Sequence, residues 1–294
     1  MANAIGAVVT IVIGRVVGYR MLSPIQDMID KAELIDSHSL KERLEVPRSN
    51  DELHRLALTI NGMLGRVERA FEQQGEFAAN ASHELRTPLS ILQGNADMLM
   101  RWGHEDQEIL TDSIAVIGKQ TAYMSALVKN LLFLARGDSA KQSLRKEKFS
   151  VSELMGELYK EQTALDTSHV YKLDIRMDCV LCADKTMIRE LLRALIDNSV
   201  KFTPEGGTIT LICGADGNVG MLAVKDTGIG ISRKHINNIF ERFYRVDKAR
   251  SRTTGGMGLG LSIAETIVKM HDGEVESQSE LGLGTTITVR LPVE

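Results

Sequence analysis

The stretch Phe77-Ala78-Ala79-Asn80-Ala81-Ser82-His83-Glu84-Leu85-Arg86-Thr87-Pro88-Leu89 decides how the chain is read. Phe77, Ala81 and Leu85 recur at four-residue steps, and Leu92, Ala96 and Leu99 continue the phase, which predicts an amphipathic helix. His83 lies two residues from both Ala81 and Leu85, so it projects roughly opposite that stripe, into solvent. A neutral imidazole near pH 7 is a competent nucleophile, and exposure lets a separate domain reach it. Pro88 lacks the N–H that would bond the Glu84 carbonyl, and its ring pushes on that carbonyl, so a bend is expected within one turn of His83. Thr87, four residues on, shares the His83 face.

Downstream, a turn around residues 102–105 leads to a second helix carrying Ile109, Ile114, Ile117, Met124, Leu127, Leu131 and Leu134. It ends at Arg136-Gly137, a basic last turn with glycine just beyond it. The apolar stripes of this hairpin, 73–138, exceed what one hairpin can cover. Upstream, Ile25, Met28, Ile29, Ala32 and Ile35 follow Pro24 at helical spacing, and the polar stretch 36–50 interrupts them. Leu53, Leu56, Ile60, Met63, Val67 and Ala70 then alternate in threes and fours, the 3.5-residue repeat of a coiled-coil seam. Over 21–72 two such helices and their connector cannot bury their stripes alone, whereas a homodimer with a parallel four-helix arrangement does.

Residues 1–20 are apolar from Ala4 to Ile13, with Arg15 and Arg20 soon after. A complete span needs about 20 apolar residues, so the segment reads as the cytoplasmic end of a membrane helix. The plainer alternative is an apolar helix start on a soluble protein. No basic region precedes the run and no clear cleavage site follows it, which disfavours a signal peptide.

From 145 to 294 helices and strands alternate. Ser150-Val151-Ser152-Glu153 is a capping box, and strands are expected at 170–177, 208–213, 219–224, 274–279 and 285–291, with helices at about 185–203 and 260–271. Strand pairs with helices on one face make an α+β sandwich. The fold class is thus multidomain: all-α coiled-coil and four-helix-bundle segments, then an α+β domain. Bulk properties agree. A chain of 294 residues has room for two or three cores, and 43% apolar with 25% charged residues is ordinary for globular proteins. A net charge of −4 gives no basic field for nucleic acid. Cys179 and Cys182 form a C-x-x-C without a second metal-ligand pair, and Val180 and Leu181 between them read as strand, which makes the cysteines two small buried hydrophobes.

The string around His83 closely resembles the H-box of sensor histidine kinases, whose histidine is the phosphoacceptor. That resemblance implies that Glu84 draws the proton from the imidazole and that Thr87 helps orient a water for dephosphorylation of a partner. Arg86 is either a phosphate contact or ordinary surface charge. Three further elements follow in order: Asp197-Asn198-Ser199-Val200-Lys201-Phe202-Thr203, Asp226-Thr227-Gly228-Ile229-Gly230 and Gly255-Gly256-Met257-Gly258-Leu259-Gly260-Leu261. They resemble the N, G1 and G2 boxes of the GHKL-type ATPase fold shared by histidine kinases, gyrase, Hsp90 and MutL. The segment 239–244 resembles the kinase F-box, and Gly282-Leu283-Gly284-Thr285 a final glycine box.

The resemblance implies ATP and Mg²⁺ as cofactors, and the residue chemistry suits them. Asn198 offers an oxygen to Mg²⁺, which takes one or two protein oxygens plus phosphates and water. Lys201, one turn on, places an ammonium on the phosphates. Asp226 accepts from the adenine amino group, while Gly228 and Gly230 admit the base. N–H groups of Gly258, Leu259, Gly260 and Leu261 at a helix start, after Gly256, form an anion site. Phe202 packs either on adenine or in the core. Arg245, Lys248 and Arg250 are either cations that neutralise the transferring phosphate from a lid or ordinary solvated loop charges. One departure stands out: the resembled kinases often carry an asparagine where this chain has Ala194, and the gyrase-like ATPases a glutamate that activates water. Ala194 cannot activate water, which favours transfer to His83 over hydrolysis and also admits a weak or inactive kinase.

Residues 21–72 resemble a HAMP signal relay through Pro24, Asp51-Glu52-Leu53 and Asn61-Gly62-Met63. Taken together, the resemblance implies the cytoplasmic domains of a bacterial inner-membrane homodimer that autophosphorylates and passes phosphate to a response regulator receiver domain. A non-kinase ATPase of the same fold and a catalytically weak scaffold are the rival readings.

Overall fold

The computed structural model describes residues 6, 11–16, 18–19, 23, 25–26, 28–31, 41–47, 51–103, 106–137, 144–246 and 256–293. Two compact units divide the chain, Met1–Ala79 and Asn80–Glu294. In the first, the described residues between 11 and 31 are helical. Met28 and Leu44 bury against Ala57, with Leu53 and Ile60 packed around them, so the extended connector is nailed to the helix by one leucine. Asn61 fixes it there: its amide accepts from the Leu44 N–H at 2.8 Å and donates to the Leu44 carbonyl at 2.9 Å. A connector with no ladder of its own thereby satisfies its buried backbone. Pro24 and most of the stretch 36–50 lie outside the described residues. No helix among the described residues is long and apolar enough to cross a membrane.

Helix α1, Glu52–Trp102, crosses the division between the units and runs through Pro88 without interruption. Pro88 is buried, and with Phe77, Ala81, Glu84, Leu92 and Leu99 it forms the less exposed stripe of the helix. The proline therefore forfeits one intrahelical hydrogen bond at a position held by packing. Helix α2, Gln107–Arg136, begins at Asp106, whose carboxylate accepts from the N–H groups of Glu108 and Ile109, and ends before Gly137 at φ 42°. Leu127 and Leu134 are buried, but Ser113 takes the interior place and Ile114 is exposed, one residue off the expected seam.

The rest of the second unit is α+β. The short strands β1 (Glu147–Ser150) and β3 (Val180–Ala183) pair antiparallel. Five more form a mixed sheet in the order β2-β4-β5-β7-β6: β2 Val170–Ile175, β4 Thr208–Asp216, β5 Val219–Asp226, β6 Glu274–Glu280 and β7 Gly284–Pro292. Only β2 and β4 run parallel among these pairs. Register places Leu211 opposite Val224 and Val224 opposite Ile287, and all three are buried on one face. Helices α3 (Val151–Leu165), α4 (Lys185–Phe202) and α5 (Gly260–Met270) cover that face with Leu158, Leu195, Ile196, Ile267 and others at 0% exposure.

The expected capping box is half realised. Ser150 Oγ accepts from the Glu153 N–H at 3.2 Å, but the backbone of Ser150 belongs to β1 and its hydroxyl donates to Asp178. The sequence reading had no strand at 147–150, because four residues without alternation carry no period. Cys179 is buried, with its thiol toward the Gly214 carbonyl at 3.7 Å, and Cys182 is half-buried.

Candidate functional site

Asp226 ends the central strand β5 on the helix-covered face, 6% exposed. A buried carboxylate needs donors, and it has them. Oδ1 accepts from the N–H of Gly228 at 2.9 Å and of Thr285 at 3.1 Å, and Oδ2 from the Ser199 hydroxyl at 3.3 Å. Burial pushes the carboxyl above its ordinary value, against the pull of those three donors. Gly228 makes the approach possible: a Cβ there would lie 2.4 Å from the Phe202 carbonyl oxygen, which also accepts from the Ile229 N–H at 3.1 Å. The end of α4 and the turn after β5 are thus sewn backbone to backbone. Gly230, at φ 68°, sits against the Glu280 carbonyl across the same turn.

The C-terminal half of α4 supplies the other polar groups. Asn198 is half-buried, and its side-chain amide makes no hydrogen bond among the described residues. Lys201 projects toward the glycine-rich segment, where a Cβ on Gly256 would lie 2.4 Å from its Nζ. Burial, and then the charge of Arg245, hold its ammonium below the ordinary lysine value. Phe202 is 40% exposed with the Lys201 ammonium 5.0 Å from its ring centroid, which settles it outside the core. At the far side, α5 starts at Leu259, itself buried, with no side chain capping its N-terminus. The N–H groups of Gly260 and Leu261 are therefore left to an outside acceptor. Gly258 is held by the loop before it, its carbonyl accepting from the N–H of Phe243, which adopts a left-handed φ of 62°. Ala194 lies one turn before Asn198, and its methyl is 4.0 Å from where a Cβ on Gly260 would stand. Lys248, Arg250 and Gly255 lie outside the described residues.

The hairpin belongs to the same unit, and α5 packs on α2. His83 is exposed and makes no hydrogen bond or ion pair among the described residues. Thr87 and Arg86 share its exposed side. Glu84 faces inward instead, accepting at 3.2 Å from the hydroxyl of Tyr123 on α2. Tyr123 is pushed up to about 12 by burial, then by the charge and hydrogen bond of Glu84, while the charge of Arg245 pulls the other way. Arg245 is thus felt at Lys201 on one side and at Tyr123 on the other. Lys129 reaches Glu190 at 3.5 Å, and Arg242 donates to the Leu134 carbonyl at 3.5 Å.

Sequence reasoning missed Tyr123 and Ser199. Ser199 left a trace, a hydroxyl on the apolar stripe Ile188, Leu191, Leu192, Leu195 and Ile196. Tyr123 left none, because hairpin register decides which residue of α1 it meets.

A buried carboxylate among glycines, an uncapped helix start and an exposed histidine on a helical hairpin define an ATPase-type domain attached to a phosphoacceptor module. Residues 183–294 match the family described as histidine kinase-, DNA gyrase B-, and HSP90-like ATPase, residues 73–140 the His Kinase A (phospho-acceptor) domain, and residues 16–69 the HAMP domain. The chain belongs to the HAMP-containing sensor histidine kinases. It is 33% identical over 296 residues to sensor histidine kinase YkoH of Bacillus subtilis (strain 168), covering 98% of this chain and 63% of that protein. It is 32% identical over 297 residues to signal transduction histidine-protein kinase ArlS of Staphylococcus epidermidis (strain ATCC 12228 / FDA PCI 1200), covering 100% and 65%. The chain thus spans under two thirds of the length of these curated relatives. Its fold is similar to that of histidine kinase ThkA, solved in complex with response regulator protein TrrA, with a TM-score of 0.62 at 23% identity over 77% of this chain and 64% of that one.

Proposed function

We propose that the chain binds ATP around Asp226 and transfers its γ-phosphoryl group to His83, from which the phosphoryl group passes to an aspartate of a response regulator receiver domain. The observation that carries this reading is that one compact unit holds both an exposed imidazole with no hydrogen bond among the described residues and the glycine-lined carboxylate site, with Arg245 felt at Tyr123 on the hairpin and at Lys201 beside the glycines. Asp226 receives the adenine amino group, with Phe202 alongside the base and Gly228 and Gly230 admitting it. The N–H groups at the start of α5 and the ammonium of Lys201 take the phosphates. One ring nitrogen of His83 forms the N–P bond as the bond from γ-phosphorus to the bridging oxygen breaks, its electron pair leaving with ADP. The other ring nitrogen gives its proton to Glu84, so the phosphorylated ring ends neutral. Positioning and charge stabilisation do most of the work in such a transfer.

Mg²⁺ fits the residues present. Among the described residues no cluster of three His, Cys, Asp or Glu side chains is placed to hold a metal, and the uncommitted amide oxygen of Asn198 suits an ion bound mainly through phosphates and water. Bound there, the ion would shield phosphate charge. Ala194 supports transfer over hydrolysis, since the methyl it places near the start of α5 cannot activate water.

The working form is a homodimer. Leu56, Met63, Leu89, Ile114 and Leu132, each at least 46% exposed in one chain, offer the stripes a second copy would cover. The HAMP match and the curated relatives support a membrane-anchored bacterial kinase, and we place 21–72 as relay, 73–138 as phosphoacceptor hairpin and 145–294 as ATP-binding domain on the cytoplasmic side of the membrane. Incubation with γ-labelled ATP tests the core of the proposal. Acid-labile, base-stable label is expected on the wild type and on neither His83→Gln nor Asn198→Ala; label persisting on His83→Gln refutes it.

A further inference from the structure

The Glu84 carboxylate is committed inward. Successive helical residues diverge by about 100°, so His83 and Glu84 point to different sides of α1: His83 outward, Glu84 onto the stripe facing α2. There Oε2 accepts a hydrogen bond from the Tyr123 hydroxyl at 3.2 Å, and no hydrogen bond joins Glu84 to His83 among the described residues. To accept a proton from the imidazole, the carboxylate must leave the hairpin interior and swing around the helix. Among the described residues, the side-chain bond that this swing breaks is the bond to Tyr123.

We propose that Tyr123 is a positioning residue that latches Glu84 away from His83, so that release of the Tyr123–Glu84 hydrogen bond precedes proton removal. The inference rests on the reading of His83 as phosphoacceptor and Glu84 as its base. Three features support it. Tyr123 is half-buried, so water competes poorly for its hydroxyl. The phenol stays protonated throughout the physiological range and can only be lost as a donor by moving. The latch also sits where the nucleotide side is felt, because the charge of Arg245 acts on Tyr123 as well as on Lys201. An arginine is a stronger carboxylate partner than a phenol, so approach of Arg245 weakens the bond that holds the base.

The test is Tyr123→Phe in the 294-residue chain, assayed for label on His83 as a function of ATP concentration. The ring and its packing remain and only the hydroxyl is lost. The labelling rate at saturating ATP should rise about three- to tenfold, the scale of one hydrogen bond, with the half-saturating ATP concentration unchanged. A rate that is unchanged or lower overturns the latch, as does a gain that lies only in ATP affinity. Phenol titration by ultraviolet absorbance, with Tyr123→Phe as the blank, provides a second readout. The Tyr123 hydroxyl should titrate closer to 10 in Glu84→Gln than in the wild type, and an identical titration overturns the pairing. Label surviving on His83→Gln would sink the underlying function instead, which keeps the two failures apart.

Discussion

The hairpin and the nucleotide cradle treat their key polar groups in opposite ways. His83 is exposed with no hydrogen bond among the described residues, whereas Asp226 is 6% exposed and holds three donors. An acceptor that, in the proposed function, a separate domain and then a partner protein visit cannot be buried, so it contributes chemistry and no stability. A group proposed to read a base, as Asp226 is, must be fixed before the ligand arrives, and buried hydrogen bonds fix it. Function is therefore separable from stability on the hairpin and fused to it in the cradle.

The sharpest break of this contrast is His83→Gln. Phosphorylation should disappear entirely while the urea midpoint stays unchanged, since an exposed side chain away from packing shifts stability by about 0.5 kcal/mol or less. A large loss of stability would mean that the imidazole holds the bundle together. Next comes Asp226→Asn. An asparagine keeps an oxygen for the Gly228 and Thr285 donors and turns its amino group to Ser199, so the fold should survive at a cost of about 1 kcal/mol. The acceptor that would meet the adenine amino group is replaced by a donor, and ATP affinity should fall about 100-fold by calorimetry. Gly256→Ala is milder. Its methyl meets the flexible end of Lys201, so the ammonium moves aside, and the backbone at φ 134° is strained for an L residue; the labelling rate should fall about tenfold and stability by about 1–3 kcal/mol. A labelling rate unchanged in Gly256→Ala would show that the Lys201 ammonium does not meet the phosphates.

How much of this could be read from the chain alone follows the same division. His83 was legible because period and phase on one helix tell which side a residue faces. The glycines were legible because close backbone approaches leave room for nothing else, as at Gly228 against the Phe202 carbonyl. Asn61 in the relay is part of the sequence pattern that resembles HAMP, and its side chain clamps the backbone of Leu44. What escaped depends on pairing between distant segments. Glu84 accepts from Tyr123, 39 residues away, and nothing in the sequence points to that partner, because interhelical register has no local signal. The seam shifted from Ile114 to Ser113 for the same reason.

The finest form of the comparison lies inside the ATP-binding domain, between two interior histidines built for opposite protonation states. His271 accepts from the Asp184 N–H at Nε2 (3.1 Å), so its proton sits on Nδ1 and goes to the Ile267 carbonyl at 2.8 Å. Protonation would set a second N–H against that of Asp184, and burial already holds the ring below its ordinary value of 6.5. His169 faces two acceptors, Asp166 Oδ2 at 2.7 Å and the Thr203 carbonyl at 3.0 Å, which suits an imidazolium. Burial pulls it down, but the Thr203 carbonyl, the Asp166 carboxylate and the charge of Glu205 outweigh burial and raise it above 6.5. The signs then follow from linkage. His271 contributes its full stability above about pH 6.5 and loses it as pH falls toward its depressed value. His169 contributes fully below about pH 6.5 and loses it as pH rises through its raised value. Urea midpoints measured from pH 5 to 8.5 should decline on both flanks in the wild type. His271→Gln should flatten the acid flank alone and His169→Gln the alkaline flank alone. Curves that merely shift in parallel would show that neither ring is held in the state its partners select, and that the cradle owes its order to packing rather than to fixed protons.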